Sequence, residues 1–173
     1  KFIEAGSTRQ ESSKKGIYSL RKYCPKKVLI HDSARPLASN KLIKRLLKFL
    51  EKYQSCAPFI TNNDFIKYKT KTYKIESDKI MNIQTPQAFR FKSILKAHYF
   101  SKTYNNKDDT SLLEKIGIKT KFIKGEKSNL KITYKDDLNL FQKLKPKVYR
   151  SGIGYDIHKI NYNSNKKLTL CGV

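Results

Sequence analysis

An α/β fold with a mostly parallel sheet is predicted from three observations. Short apolar runs, "KKVLIHD", "SCAPFI" and "KTKFIKG", read as strands. Between them lie longer segments of helical period, with Leu42, Leu46, Leu47 and Leu50 on one face. Glycine, proline and capping residues punctuate the boundaries between the two kinds of segment. Strands that alternate with helices are the pattern of a sheet crossed over by helices. In such sheets ligands sit outside the carboxyl ends of the strands, so residues there carry most weight.

Element by element, residues 1–5 read as a strand, and "GSTRQESSKKGIYSLRKY" turns into a helix whose Thr8 and Glu11 fit a capping box. "KKVLIHD" follows, ending in polar residues at 31–33, then a helix from Asn40 to Tyr53 and the strand "SCAPFI". Residues 61–83 are polar and Lys-rich with weak alternation, which suits a hairpin or extended arm. Phe91 to Tyr99 and Asp109 to Ile116 read as helices, the second stopped by Gly117. "KTKFIKG" is a strand, "NLKIT" a short strand, and "YKDDLNLFQKL" a helix followed by Pro146. "KLKPKVYRS" reads as a linker, after which "KVYRSGIGYDIHKI" and "LTLCGV" resume as strands. Both ends therefore begin or stop inside a strand pattern, which suggests an internal piece of a longer polypeptide.

Composition narrows the class. A hydrophobic share of 38% is enough for a core, and 173 residues suit one domain, or one and part of another. No apolar run approaches the length of a membrane span, and the start has no signal-peptide pattern. Cys24, Cys56 and Cys171 are scattered and odd in number, which fits a reducing, cytoplasmic setting. The formal net charge of +24 raises the question of a nucleic-acid partner. Only six of the 38 basic residues are Arg, and Lys is spread over every predicted element. Base readers favour the Arg fork and cluster their charge. Biased composition thus explains the charge better than nucleic-acid binding, although it would still concentrate phosphorylated substrates.

Four stretches carry candidate chemistry. "HDSARP" at 31–36 ends a strand, where an Asp can hold Mg²⁺ and orient nucleotide phosphates; a plain turn explains it equally well. "TRQES" at 8–12 opens a helix, whose amides favour anions, though capping alone suffices. In "NLKITYKDDL" at 129–138, Lys131 could neutralise a transferring phosphoryl group, a weak signal in so Lys-rich a chain. "IQTPQAF" at 83–89 is by default a turn. No P-loop or G-x-G-x-x-G fingerprint is present. Near the end, Asp156 and His158 stand two apart in a strand-like stretch and so share a face, like the start of a metal site.

Taken in order, "TRQES…HDSARP…QTPQAFRF…DDTSLLEKIG…KGEKSNLKIT…DDL" closely resembles the 2-C-methyl-D-erythritol 4-phosphate cytidylyltransferase family over about residues 3–144. "GIGYDIHKI…LTLCGV" resembles the opening of 2-C-methyl-D-erythritol 2,4-cyclodiphosphate synthase. Both in one chain imply the bifunctional fusion, with residues 1–146 in the first domain and 147–173 opening the second. The implied fold is a Rossmann-like nucleotidyltransferase sheet with helices on both faces and an extended β-arm. It would lack its N-terminal strand and glycine-rich loop, and the second domain would be α+β.

The resemblance implies transfer of CMP from CTP to 2-C-methyl-D-erythritol 4-phosphate, with release of pyrophosphate. By motif, Asp32 contacts the nucleotide and its Mg²⁺, Arg35 supports that loop, and Arg9 and Ser12 line the cytidine pocket. Lys131 polarises the reacting phosphates, Thr85 lies on the methylerythritol phosphate side, and Asp109 matches a recurrent acidic position where helix capping is also expected. Asp156 and His158 match the first two ligands of the cyclase metal, Zn²⁺ or another divalent ion; His31 and His98 belong to the first enzyme's motifs, and the third ligand is expected past Val173. Two departures stand out. Ser77 falls where the family has a phosphate-gripping Arg, and "TNNDF" at 61–65 does not match the family's Asp-Thr pair. Residues 1–173 alone are expected to lack cytidylyltransferase activity, and the full-length protein is expected to be a homo-oligomer through the arm, with no membrane partner. The alternatives are another sugar-phosphate cytidylyltransferase and, in a different class, a basic nucleic-acid-binding module.

Overall fold

A computed structural model of the chain describes residues 2–62, 66–67, 74–75, 80–101, 106, 108–145 and 152. The helices are α1 (Arg9–Ser19), α2 (Asn40–Phe49), α3 (Phe91–Phe100), α4 (Thr110–Lys115) and α5 (Lys135–Leu144). The strands are β1 (Lys27–Ile30), β2 (Ser55–Thr61), β3 (Ile66–Lys67), β4 (Lys74–Ile75), β5 (Met81–Ile83), β6 (Gln87–Arg90) and β7 (Lys121–Lys124).

Five strands form one sheet. β6 lies between β1 and β2 and runs antiparallel to both. β5 continues along the same edge of β2, and β7 pairs with its other edge in parallel. The strands β1, β2 and β7 therefore point one way, but only β2 and β7 are parallel neighbours. The expectation of a mostly parallel sheet is corrected here. The cause is β6, a strand inside a stretch read only as a turn. It follows β5 directly and continues in the same direction along the edge of β2, antiparallel to both β2 and β1. A separate ladder pairs Ile66 with Ile75 and Lys67 with Lys74, in agreement with a hairpin in the arm.

Alternation along β6 divides the core. Phe89 packs with Ile17, Phe91, Ile94, Ala97, Leu112 and Leu113, beneath α1, α3 and α4. Its neighbour Ala88 faces the other side, with Leu42, Leu46 and Leu50 of α2 and with Cys56 and Ile123. Helices thus cover both faces, as the fold class requires. Leu42 and Leu46 have no exposed surface, which their helical spacing predicted.

Local chemistry sets the helix ends. The Thr8 hydroxyl accepts from the Glu11 amide at 3.1 Å, and the Glu11 carboxylate returns to the Ser7 amide at 2.7 Å. This is the expected capping box, shifted by one residue on its return arm. The Ser7 hydroxyl, which donates to the same carboxylate, and then the Ser7 amide hold the Glu11 carboxyl below its usual range. Ser39 caps α2 by accepting from the Leu42 amide. Gly117, at φ 78°, lets the chain leave α4 through a left-handed conformation.

Two further expectations are corrected. Residues 2–5 form no strand: they pair with no other described strand, and Phe2 is fully exposed. "NLKIT" is not a strand either. Among the described residues its one backbone bond to a neighbouring loop runs from the Ile132 amide to the Ala34 carbonyl, at 2.8 Å. Gly152 apart, the expected strands at 147–160 and 168–173 lie outside the described residues, as do Ser77, Asn63 to Phe65, Asp156, His158 and Cys171.

Candidate nucleotide site

The loops after β1 and β7 open at the same end of the sheet, because those strands run the same way. The loop before β6 joins them, because β6 runs oppositely. "HDSARP", "QTP" and the 126–133 segment are thereby brought together, although they are far apart in sequence. The expected clustering at strand carboxyl ends holds for β1 and β7.

Asp32 sits at the centre. Its carboxylate lies 3.3 Å from Lys131 Nζ and 3.8 Å from Arg9 Nε. All three side chains keep access to solvent, Lys131 being half exposed. A partly exposed carboxylate flanked by two cations suits a place where a polyphosphate would enter and redistribute the charge.

Beneath this triad, hydrogen bonds fix the loops. The Asp32 amide donates to Thr85 Oγ1 at 3.0 Å, and Thr85 Oγ1 is 3.0 Å from His31 Nδ1. His31 Nε2 lies 2.9 Å from the Arg35 carbonyl, so it must carry a proton to bond there. A neutral ring then accepts at Nδ1 from the Thr85 hydroxyl. The Thr85 side chain is buried and its hydroxyl is used inside the loop. Arg35 donates from Nη1 to the Asn129 carbonyl at 2.8 Å, tying "HDSARP" to the segment that carries Lys131. Burial pushes the Arg35 guanidinium down from its usual range, and Asp32 partly offsets this.

Gln84 and Asn129 complete the scaffold and were not singled out from sequence. Gln84 Nε2 donates to the carbonyls of Glu126 and Asn129, and its Oε1 accepts from the Glu126 amide. Asn129 Nδ2 donates to the Thr85 carbonyl at 2.8 Å. A Cβ on Gly125 would stand 2.3 Å from Gln84 Oε1 and 2.9 Å from the Phe59 carbonyl oxygen, so glycine permits this close approach. Beyond Lys131, the Asp137 carboxylate accepts from the Thr133 and Tyr134 amides. Those bonds, Tyr134's first, hold its carboxyl below the usual range and lock the end of the segment to α5. The amide side chains in "IQTPQ" and "SNL" were the available signal, but polar residues in a turn have many uses.

Arg9 also reaches inward, its Nη1 lying 2.8 Å from Asp109 Oδ2. Asp109 is fully buried, with the Ser13 hydroxyl at 2.9 Å and His98 Nε2 at 3.4 Å from its other oxygen. Burial alone would raise the Asp109 carboxyl, but His98, Arg9 and Ser13 together outweigh it and hold the group below its usual range. Capping by Asp109 is corrected: Asp108 caps α4, accepting from the Ser111 amide at 3.1 Å. Ser12 stands apart from the carboxylates. Its hydroxyl accepts from the Gly6 amide and donates to the Thr8 carbonyl, shaping the turn before α1.

A single carboxylate facing solvent between cations fits Mg²⁺ only when nucleotide phosphates and waters supply the remaining ligands. Among the described residues no group of three or more His, Cys, Asp or Glu could hold a metal by itself. A cavity of about 640 Å³ lies at the other end of β1, lined by Cys24, Lys26, Arg90 and Lys92 among others. A smaller one, about 350 Å³, adjoins the site and is lined by His31, Ser33, Arg35 and Pro86 among others. The chemistry clusters beside the smaller cavity.

A mixed sheet covered on both faces, with an acid–base cluster at its strand ends, is a Rossmann-like nucleotidyltransferase fold. Residues 1–144 match the family model described as 2-C-methyl-D-erythritol 4-phosphate cytidylyltransferase, and the chain belongs to that family. It is 35% identical over 185 residues to a bifunctional enzyme IspD/IspF of Bartonella henselae, covering 99% of this chain and 46% of that protein. It is 37% identical over 181 residues to the one of Wolbachia pipientis, covering 99% and 45%. The chain thus spans less than half the length of these relatives. Among solved structures, the Thermus thermophilus cytidylyltransferase matches with TM-score 0.77 at 28% identity, covering 83% of this chain and 72% of that one. The bifunctional IspDF of Campylobacter jejuni matches with TM-score 0.72 at 32% identity, covering 80% and 36%.

Proposed function

We propose that the chain is the nucleotidyl-transfer part of a bifunctional isoprenoid-pathway enzyme. It transfers CMP from CTP to 2-C-methyl-D-erythritol 4-phosphate and releases pyrophosphate. The observation that carries this reading is the Arg9–Asp32–Lys131 cluster on loops tied together by Arg35, Gln84 and Asn129.

In this reaction a phosphate oxygen of the substrate forms a bond to the α-phosphorus of CTP. The bond from that phosphorus to the bridging oxygen breaks, and pyrophosphate leaves with the electron pair. The attacking phosphate is already anionic, so no general base is required. Positioning and charge neutralisation supply the rate. Lys131 neutralises charge on the reacting phosphates. Asp32 would hold Mg²⁺, which shields the triphosphate when bound. Arg9 and Ser12 border the nucleoside side, and Thr85 the methylerythritol phosphate side by fixing Asp32. Asp109 acts from beneath, through Arg9.

Residues 147–173 open the cyclase, a lyase that releases CMP. Asp156 and His158 would supply two ligands to its Zn²⁺ or other divalent ion; this rests on the Asp-x-His pattern and the bifunctional relatives. The full protein is a cytoplasmic homo-oligomer joined through the arm at 61–83. Among the described residues no helix is long and apolar enough to cross a membrane.

The test is CTP binding with Mg²⁺, by calorimetry on the chain, and turnover in the bifunctional enzyme. Lys131→Met should lower turnover by about 100-fold, the usual effect of deleting a charge stabiliser. Asp32→Asn should weaken Mg²⁺-dependent binding. Unchanged turnover in both variants would overturn the proposal.

A further inference from the structure

His98 is a fully buried ionisable group that the reaction above leaves unused. It lies in the last turn of α3 with no exposed surface, and neither ring nitrogen has a well-formed hydrogen bond among the described residues. A buried imidazole without a partner is costly. The nearest acceptor is Asp109 Oδ1, 3.4 Å from Nε2 and wide of good hydrogen-bond geometry. That carboxylate is equally buried and would be costly alone.

Asp109 stands just before α4, where an Asp ordinarily turns back to cap the helix. Asp108 takes the cap through the Ser111 amide, which leaves Asp109 directed inward. There it meets three groups from two elements: Arg9 and Ser13 of α1, and His98 of α3. Arg9 is therefore shared by two carboxylates, held by Asp109 at 2.8 Å and presented to Asp32 at 3.8 Å.

We propose that His98 is a positioning residue of the nucleotide site. With Ser13 it orients the Asp109 carboxylate, and Asp109 fixes the Arg9 guanidinium beside Asp32. The geometric part stands on these contacts alone; the functional part rests on the nucleotide-site reading.

The experiment uses the 173-residue chain, with CTP and Mg²⁺ as the probe. In the unaltered chain at neutral pH, two-bond nitrogen–proton NMR should show His98 protonated at Nε2. The Arg9 Nε–H resonance should be distinct and slow to exchange. His98→Phe keeps a ring but no donor; it should broaden or shift that resonance and weaken CTP binding about tenfold, as loss of a charge-linked hydrogen bond does. His98→Gln, which keeps a donor, should restore much of both. An unprotonated Nε2 in the unaltered chain would overturn the proposal even if neither variant folds. So would an Arg9 signal that His98→Phe leaves unmoved. An Arg9 signal that moves while CTP affinity does not would remove the cluster from the nucleotide site and leave the His98–Asp109–Arg9 geometry standing. That separates failure of the functional part from failure of the geometry.

Discussion

Gln84 clamps the 126–129 segment that leads to Lys131, and replacing it should loosen that segment. Its side chain is buried, donates to the carbonyls of Glu126 and Asn129, and accepts from the Glu126 amide. Asn129's carbonyl keeps Arg35 as a second donor and Glu126's carbonyl keeps the Asn129 amide, so Gln84→Leu orphans chiefly the Glu126 amide. An unsatisfied buried polar group costs about 1–3 kcal/mol, and Glu126 is only half-buried, so water recovers part of this. The expected loss is about 1–2 kcal/mol, a fall in Tm of roughly 2–8 °C for a chain of this size. Gln84→Glu sharpens the test, because an ionised carboxylate would face two carbonyl oxygens with no proton to offer. The folded state then favours the protonated acid and raises its pKa above the unfolded value. Relative to the parent, this variant should be most stable at low pH and lose stability as pH rises through that raised value. Urea unfolding at pH 4.5 and 7.5, with amide exchange at Glu126, reads both effects. A Gln84→Leu chain within 0.5 kcal/mol of the parent (about the ordinary surface range) would refute the clamp. So would a Gln84→Glu deficit independent of pH.

Other consequences follow from the same structure. Asp109 is held below its usual pKa, so its contribution to stability is present above the ordinary carboxylate range and lost as pH falls through the lowered value. Asp109→Asn should therefore cost most near neutrality, about 2–3 kcal/mol with Arg9 partly solvated, and progressively less as pH falls below the ordinary carboxylate range; a deficit in urea unfolding that does not shrink over that fall would contradict this. Leu46→Ala, at a site with no exposed surface, should lower stability by about 2–5 kcal/mol in thermal melts monitored by circular dichroism; a loss under 1 kcal/mol would mean that α2 is not packed there. Burial pushes the Cys56 thiol up to about 11, while Cys24 is exposed. Iodoacetamide at pH 8 followed by peptide mapping should label Cys24 and spare Cys56 until the chain is unfolded; equal labelling would place Cys56 at the surface.

Much of the architecture is legible because its causes are local. The stripe of Leu42, Leu46 and Leu50 specifies α2 and the face that it buries. Thr8 and Glu11 announce the start of α1, and Gly117 the end of α4. β6 escapes notice because four residues between a turn and a helix carry too little pattern to read. Without it the sheet looks parallel, since β1, β2 and β7 do share a direction. The expected strand at 129–133 has apolar residues but too little pairing, which no single-segment pattern can reveal.

The site divides the same way. Residue types and their order are written in the chain: an Asp after β1, a Lys after β7, an Arg opening α1. From these alone follow the family resemblance and the chemistry of a phosphate-handling site. Only the tertiary structure decides that Asp32 stands between Arg9 and Lys131, that Thr85 spends its hydroxyl on the Asp32 amide, and that Asp108 caps α4 while Asp109 turns inward. The physical reason is range. Helical period and capping act over a few residues and leave a trace in the order of side chains. A salt bridge between Arg9 and Asp109, or a clamp from Gln84 to Asn129, exists only once the sheet has brought distant loops to one end.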